Sequence, residues 1–294
     1  MDRGLLYILS GFAFWLGASI ASFLNVVIWR VPRGESIVSP PSHCPKCNAR
    51  IKWYQNIPIF AWLALRGKCA NCKAPISPRY ILIETLGGVL FLAVFWRFIP
   101  NLFPVKGAIL PIQPGIFIGA GLALCVAWVW VALMIVGSMI DYDLQLLPDF
   151  VTVGGMVLGV VVGAGDSLRL LFWHDAGWWQ SFAWSLGGLA FGFGLLWLVR
   201  WIGGKVFKRE AMGMGDVFLM GAVGALFGPV AVLVTLILSS VFGSIVGVSM
   251  IALSKTKFGK FVEIPYGPYI CLGCLTWMFY GPELVNGYLA LMRP

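Results

Sequence analysis

The sequence Glu210-Ala-Met-Gly-Met-Gly-Asp216 continues directly into the apolar stretch Val217-Phe-Leu-Met-Gly-Ala222. This junction indicates a membrane helix with a functional residue at its edge, because an ionisable side chain beside hydrocarbon is costly. Gly213 and Gly215 have no side chains, so a second helix or an extended peptide could approach Asp216 closely. The simpler alternative is that Asp216 only caps the helix that follows it.

A second acidic stretch, Ile140-Asp-Tyr-Asp-Leu-Gln-Leu-Leu-Pro-Asp149, lies between two further apolar runs. Two carboxylates held close together in a site of low dielectric share a proton, and the pair can then supply a general base and a general acid. This is the chemistry of an aspartyl protease, for which Asp141 and Asp216 are the candidate catalytic residues. Asp143 and Asp149 are interpreted as interfacial loop and cap residues.

The composition excludes an ordinary soluble domain. Hydrophobic residues make up 60% of the 294 residues, charged residues make up 11%, and the mean hydropathy is +0.88. These values are typical of a polytopic membrane protein surrounded by lipid. The net charge of +9 is attributed to membrane topology, so no nucleic-acid partner is expected.

Eight apolar segments predict an all-α protein with about eight transmembrane helices. The first segment is too long for a cleaved signal peptide, so we expect it to be retained. The fourth and sixth are short for a membrane, and Gly228-Pro229 predicts a tight connection between the sixth and the seventh. The predicted parts are a first helix (1–29), a zinc-binding loop domain (30–79) and a protease core (80–294). The segments are Leu5–Ile28, Tyr80–Ile99, Gly115–Ile140, Phe150–Ala164, Ser181–Ile202, Val217–Phe227, Val230–Leu253 and Pro265–Tyr280.

The distribution of Lys and Arg predicts the orientation in the membrane. The loops after segments one, five and seven hold 16 of the 21 basic residues. Because cytoplasmic loops carry the excess of Lys and Arg, these loops and the third loop are predicted to be cytoplasmic, with both termini outside. Asp141 and Asp216 then lie at the same membrane face, although the count did not use the acids. The basic residues concerned are Arg30, Arg33, Lys46, Arg50, Lys52, Arg66, Lys68, Lys73, Arg79, Arg200, Lys205, Lys208, Arg209, Lys255, Lys257 and Lys260.

The first loop contains two Cys-x-x-Cys pairs, Cys44/Cys47 and Cys69/Cys72. Four thiolates at this spacing can form a closed tetrahedral zinc site, which is structural because no ligand position stays open. About 50 residues bury too little core to fold alone, so a metal would stabilise the loop. His43 could replace one cysteine as a ligand, but four cysteines make it unnecessary.

Glu84 lies near the start of the second apolar segment, where a carboxylate needs a partner or ligand to offset its cost. Glu84 and the first loop are the candidates for binding a cofactor.

These motifs together resemble the bacterial type IV prepilin peptidases, a family of bifunctional GxGD aspartyl membrane enzymes. Phe218 departs from the family pattern, in which many relatives have lysine. The matching stretches are Gly17 to Pro32, the double-cysteine loop with Asn56-Ile-Pro58 and Arg66-Gly-Lys-Cys69, Ile76 to Tyr80 leading to Glu84, Ile140 to Asp149, Glu210 to Asp216, and Ile264 to Pro268.

The resemblance implies an enzyme of the bacterial inner membrane with its active site facing the cytoplasm. Such enzymes cleave the basic leader of type IV prepilins and type II secretion pseudopilins, and then methylate the new N-terminus with S-adenosylmethionine. By motif, Asp141 and Asp216 are the catalytic pair and the four loop cysteines bind Zn²⁺. Archaeal preflagellin peptidases share the protease core without the large cysteine loop, so the loop favours the bifunctional bacterial form.

Two other classes of function stay open at this point. A secondary transporter could use Asp141 and Asp216 to relay protons or bind a cation, although no inverted repeat is apparent. A membrane scaffold could use its zinc loop to dock a partner, but this leaves both acidic motifs without a role.

Overall fold

The structure, a computed structural model, describes residues 3–102, 114–165, 178–208, 210, 212–253 and 265–292. Within these ranges the protein is helical and contains no β-strand beyond two isolated bridges. This confirms the predicted all-α class. The helices are α1 (Arg3–Arg30), α2 (Phe60–Ala64), α3 (Arg79–Leu102), α4 (Pro114–Leu144), α5 (Asp149–Ala164), α6 (Trp178–Phe207), α7 (Met214–Leu253) and α8 (Gly267–Met292).

Five of the described helices are long and apolar enough to cross a membrane, by length and composition. Helix α5 is apolar but shorter. The protein is therefore a polytopic membrane protein, whereas the expected number of eight transmembrane helices is not confirmed. The five candidate spans are Gly4–Arg33, Arg79–Phe98, Gly121–Leu144, Trp179–Val206 and Met214–Met250.

Helix α7 folds back on itself at Gly228, which has φ 83° and ψ 179° and precedes Pro229. A Cβ built on Gly224 would lie 3.0 Å from Cγ2 of Val232. Residues eight apart in a straight helix are separated by about 12 Å along the axis, so the chain must reverse here. The predicted connection at Gly228-Pro229 is confirmed, and the sixth and seventh apolar segments form a helical hairpin.

The chain divides into two compact units. One contains α1, α2, α3 and residues 124–136 of α4, and the other contains residues 114–123 and 137–144 of α4 with α5 to α8. In the first unit, Trp128 donates its indole N–H to the Phe91 carbonyl oxygen at 3.0 Å, and the two rings stack 5.3 Å apart. The predicted division into 1–29, 30–79 and 80–294 stays a prediction.

In the second unit, small residues let α5, α6 and α7 approach closely. The Ser185 hydroxyl of α6 donates to the Ala225 carbonyl of α7 at 2.7 Å and also lies 3.2 Å from the Gly159 carbonyl of α5. A Cβ on Gly188 would collide with the Gly224 carbonyl oxygen. This close packing fixes the position of the α7 arm that begins beside Asp216.

The orientation predicted from charge stays a prediction. Four of the basic residues counted for it, Arg209, Lys255, Lys257 and Lys260, lie outside the described residues, as does Ile264 of the last motif.

Candidate active site

Asp141 lies in the last turn of α4 and is buried, with 6% of its surface exposed. Its Oδ2 atom accepts a hydrogen bond of 2.9 Å from the backbone N–H of Gly267, the first residue of α8. A Cβ at position 267 would lie only 2.6 Å from that oxygen. The absence of a side chain at Gly267 therefore lets α8 begin directly against the carboxylate.

Asp216 lies in the first turn of α7 and is buried to a similar extent, with 7% exposed. Its carboxylate accepts a hydrogen bond from the backbone N–H of Gly213. Its Oδ1 atom is buried and has no hydrogen-bond partner among the described residues. A Cβ on Gly215 would lie 2.8 Å from Cβ of Leu147, so this glycine also permits a close approach. One carboxylate oxygen is thus held while the other has no hydrogen-bond partner in the described part of the chain.

The structure brings Asp141 and Asp216 together, as the two acidic motifs predicted. Their charges interact directly, and the buried Cys271 thiol of α8 is close enough to interact with both. Two carboxyl groups so placed cannot both ionise easily, so one can act as an acid while the other acts as a base. Asp143 and Asp149 are exposed and lie outside this pair.

Arg200 of α6 holds the loop that precedes Asp216. Its guanidinium donates to the Met212 carbonyl oxygen at 3.0 Å and the Met214 sulfur at 3.2 Å, and it pairs with the Glu210 carboxylate at 3.2 Å. Sequence reasoning assigned Arg200 only to the charge count and missed this role. The position of an arginine just before a Glu-containing loop was the available signal.

Phe218 follows Asp216 in the first turns of α7. Its ring lies 5.6 Å from the ring of Phe193 on α6. An apolar residue therefore packs between helices at the position where many relatives have lysine.

The four loop cysteines form one cluster in the first unit. The sulfur atoms of Cys44, Cys47, Cys69 and Cys72 all lie within 4.8 Å of one another, and those of Cys44 and Cys72 are 3.9 Å apart. A tetrahedral zinc ion with Zn–S bonds of about 2.3 Å separates its sulfur ligands by about 3.8 Å. The cluster therefore has dimensions that fit a metal ion, and it consists of cysteines without His43.

The two Cys-x-x-Cys pairs are built in the same way. The backbone N–H of Cys44 bonds to the Ala49 carbonyl, and that of Cys69 bonds to the Ala74 carbonyl. Asn48 and Lys73, each four residues after the first cysteine of its pair, both have positive φ. Each knuckle is therefore a tight turn that directs two sulfur atoms to one point.

Hydrogen bonds within the knuckles favour the thiolate form of two cysteines. The pKa of Cys47 is lowered to about 6 by the Ala49 N–H and then by the Asn71 amide. The pKa of Cys69 is lowered by the N–H groups of Cys72 and Asn71. Thiolates are the form that binds metal, so the backbone prepares these ligands.

Glu84 has partners within the first unit. Its Oε2 atom accepts a hydrogen bond of 2.7 Å from the Ile59 N–H, and Ser22 of α1 also hydrogen-bonds its carboxylate. These contacts account for the buried carboxylate without a cofactor. The candidate role of Glu84 in cofactor binding stays a prediction.

The fold and these sites define a polytopic helical membrane protein that combines a buried carboxylate pair with a four-cysteine cluster. Residues 15–98 match the Bacterial Peptidase A24 N-terminal domain, and residues 128–248 match the Type IV leader peptidase family. The chain is 39% identical to the prepilin leader peptidase/N-methyltransferase of Myxococcus xanthus, over 93% of this chain and 73% of the relative. The chain belongs to the type IV leader peptidase family and is an enzyme.

Other relatives are matched over a larger share of their own length. Identity is 33% to the prepilin leader peptidase/N-methyltransferase of Stutzerimonas stutzeri, over 95% of this chain and 93% of that protein. It is also 33% to the type 4 prepilin-like proteins leader peptide-processing enzyme of Escherichia coli, over 90% and 91%. No solved structure matches the chain.

Proposed function

We propose that this enzyme cleaves the basic leader from type IV prepilins and type II secretion pseudopilins and then methylates the new N-terminal amine. The observation that carries the proposal is the pairing of Asp141 and Asp216 at the meeting point of α4, α7 and α8. The names of the relatives support the substrate class and both activities. The enzyme is placed in the bacterial inner membrane with its pair facing the cytoplasm, because the basic loops predict that side.

The pair supplies the chemistry of peptide hydrolysis. The ionised carboxylate removes a proton from water while the protonated carboxyl group donates a hydrogen bond to the scissile carbonyl oxygen. The water oxygen bonds to the carbonyl carbon, the C–N bond then breaks, and the leaving amine receives a proton from the pair. The Asp216 Oδ1 atom, which has no partner among the described residues, is placed to bind the water or the substrate.

The surroundings of the pair hold both carboxylates in position. The Gly267 N–H orients Asp141, the Gly213 N–H orients Asp216, and Arg200 holds the loop between Glu210 and Met214. Because these contacts involve backbone groups and a guanidinium with several bonds, the two acids need little reorganisation during the reaction.

Cys44, Cys47, Cys69 and Cys72 would hold a structural Zn²⁺, whose contribution is to stabilise the loop. The spacing of the sulfur atoms supports this assignment. The methyltransferase activity requires S-adenosylmethionine, which supplies an electrophilic methyl group to the free amine. Among the described residues, the internal partners of Glu84 give no support to placing the methyl donor there.

The test is mass spectrometry of a prepilin from the same organism, incubated with the purified full-length protein in detergent. Loss of the leader, and a further gain of one methyl group only when S-adenosylmethionine is present, would support both activities. Leader loss alone would restrict the proposal to the protease. No cleavage by a folded, zinc-loaded sample, together with ion flux in liposomes, would favour a transporter instead.

A further inference from the structure

The loop that carries the cysteines also contains a long uncharged stretch, Trp53-Tyr-Gln-Asn-Ile-Pro-Ile-Phe-Ala-Trp-Leu-Ala-Leu65. Its second part, Ile57–Leu65, consists entirely of apolar residues. Stretches of this length are too short to cross a bilayer and are typical of buried, interfacial or re-entrant segments. The structure distinguishes among these three possibilities.

The segment is not buried by protein. In the described structure, Phe60 has 57% and Leu63 has 53% of its surface exposed, and Ile57 is exposed as well. Adjacent apolar side chains exposed in this way need an apolar environment outside the protein.

The segment packs deep along the membrane helix α1 rather than at its end. The rings of Phe60 and Trp15 stack with centroids 5.1 Å apart and planes 14° from parallel. Trp15 precedes Arg30, the basic end of α1, by 15 residues, which corresponds to about 22 Å of helix. The hydrocarbon layer is about 30 Å thick. Phe60 therefore lies well inside the membrane zone of α1.

Helix α3 gives an independent measure of depth. Its basic end, Arg79, lies beside the corresponding end of α1, since the Asn25 amide contacts the Tyr80 carbonyl at 3.5 Å. Glu84 is five residues further along, about 8 Å into the helix, and bonds to Ile59 and Ser22. The turn at Ile59 therefore lies deeper in the membrane than Arg30 of α1 and Arg79 of α3.

Several backbone N–H groups of the segment bond within it, which lowers the cost of placing the segment in a membrane. Ile59 has φ 64° and ψ −55°, and the Phe60 N–H closes a three-residue γ-turn onto the Pro58 carbonyl at 2.6 Å. Donors in the next residues bond within the segment, including Ala61 to Ile57, Leu63 to Ile59 and Leu65 to Ala61. Pro58 has no N–H, and the Ile59 N–H has its partner outside the segment. Glu84 supplies that partner.

We propose that Trp53–Leu65 is a re-entrant segment that inserts among lipid acyl chains beside α1 and α3 and is anchored by Glu84. Irregular backbone is tolerated at membrane depth only where protein covers it or it lines a water-filled cavity. The turn itself meets this condition in part, because Pro58 and Ile59 are half-buried and the Ile59 N–H bonds to Glu84. The γ-turn at Ile59 is the tip of the segment, and α2 returns the chain to the second cysteine pair.

Photocrosslinking in reconstituted vesicles tests the proposal. The full-length protein carrying p-benzoylphenylalanine at Phe60 or at Leu63 is placed in phosphatidylglycerol/phosphatidylcholine vesicles and irradiated. The control carries the same residue at Val38, which is 85% exposed in the same loop but outside the segment. At least tenfold more lipid adduct is expected at Phe60 and Leu63 than at Val38.

Two outcomes would overturn the proposal. Equal adduct yields at the three positions would mean that the segment is not inserted. Adducts at Phe60 with a co-reconstituted prepilin helix, in place of lipid, would make the exposed face a substrate-binding surface.

Hydrogen–deuterium exchange tests the anchor. Glu84→Gln keeps an oxygen that can accept the Ile59 N–H, whereas Glu84→Ala leaves this donor unpaired. Exchange in peptides covering 57–65 should rise at least tenfold in Glu84→Ala and less than threefold in Glu84→Gln. Unchanged exchange in both variants would remove Glu84 as the anchor. If Glu84→Ala does not fold, the crosslinking comparison still decides the proposal because it leaves Glu84 intact.

Discussion

Asp141 lies in the last turn of α4 and Asp216 lies in the first turn of α7. The two carboxylates therefore come from opposite ends of their helices. Within the described ranges neither acid is paired with a cation; both accept hydrogen bonds from backbone N–H groups of glycines. Gly267 therefore does two things: it supplies the donor and leaves space for the Asp141 carboxylate.

The first prediction concerns the acids themselves. Asp141→Asn and Asp216→Asn each should lower leader cleavage at least about 100-fold, because an amide cannot exchange the proton that general acid–base catalysis needs. Both variants should retain their zinc content and thermal unfolding profile. Asp143→Asn, with an exposed side chain in the same stretch, is the matched control and should remain active. Near-normal turnover in either site variant would exclude the pair as the catalytic group.

The second prediction concerns Gly267. Gly267→Ala places a methyl group 2.6 Å from the Asp141 carboxylate, which must move to make room. We expect at least a tenfold fall in kcat with a smaller change in KM. Gly287→Ala, in the same helix with no atom near the added methyl, should leave kcat unchanged. Equal kcat values for the two variants would contradict the proposed role of the Gly267 contact.

At the scale of the element, helix positions could be predicted from continuous apolar runs. The fourth segment, expected over Phe150–Ala164, is α5 over Asp149–Ala164, and the turn at Gly228 is where Gly-Pro indicated it. The end of α8 was missed: it continues to Met292, beyond the predicted Tyr280, through Pro282, Glu283 and Asn286. These residues interrupt the apolar pattern without breaking the helix.

Helix α2 was also missed, because it has only five residues and its fold depends on tertiary contacts. Phe60 needs the Trp15 ring, and Ile59 adopts a positive φ that is unfavourable for a β-branched residue. No local pattern encodes these contacts. Local conformational propensity does not predict the turn at Ile59, because the turn is stabilised by the buried carboxylate of Glu84, 25 residues away.

The third prediction belongs to the packing of α6 on α7. Gly188→Ala should destabilise the protein by about 1–3 kcal/mol, the usual range for overpacking, because the new methyl meets the Gly224 backbone. Gly187→Ala differs by one position and faces open space, so it should be neutral or slightly stabilising. Thermal unfolding in one detergent compares the two. Equal unfolding midpoints for the two variants would contradict the close contact between α6 and α7 at Gly188.

At the scale of the whole molecule, the sequence predicted both clusters but not their surroundings. The pairing of Asp141 with Asp216 and the grouping of four cysteines follow from motif chemistry and spacing. For Arg200 the only signal was its position before the loop that contains Glu210, and for Gly267 there was none, because both roles depend on which loop or carboxylate lies within about 3 Å. Such distances arise from packing between segments far apart in the chain.

The fourth prediction separates the metal cluster from the acids, which belong to different compact units. Paired substitution of Cys44→Ser and Cys47→Ser should remove nearly all bound zinc and lower the unfolding midpoint, because metal binding contributes to folding. Cleavage per folded molecule should fall much less. Cys125→Ser, outside the cluster, should keep its zinc. Elemental analysis measures the bound zinc, and an unchanged zinc content in the double variant would refute the assignment of the four cysteines as zinc ligands.

The short helices beside the acids have a consequence for the lipid. Helix α5 has 16 residues, about 24 Å, and the first arm of α7 measures about 21 Å, both less than a hydrocarbon thickness of about 30 Å. Lipids next to a short helix must compress, at a cost that increases with each ångström of mismatch. Acyl-chain length should therefore regulate this enzyme: cleavage in vesicles is expected to decline as the chains lengthen, while the zinc content stays constant. A bilayer that is too thick would therefore lower the rate of cleavage although no inhibitor is bound to the enzyme.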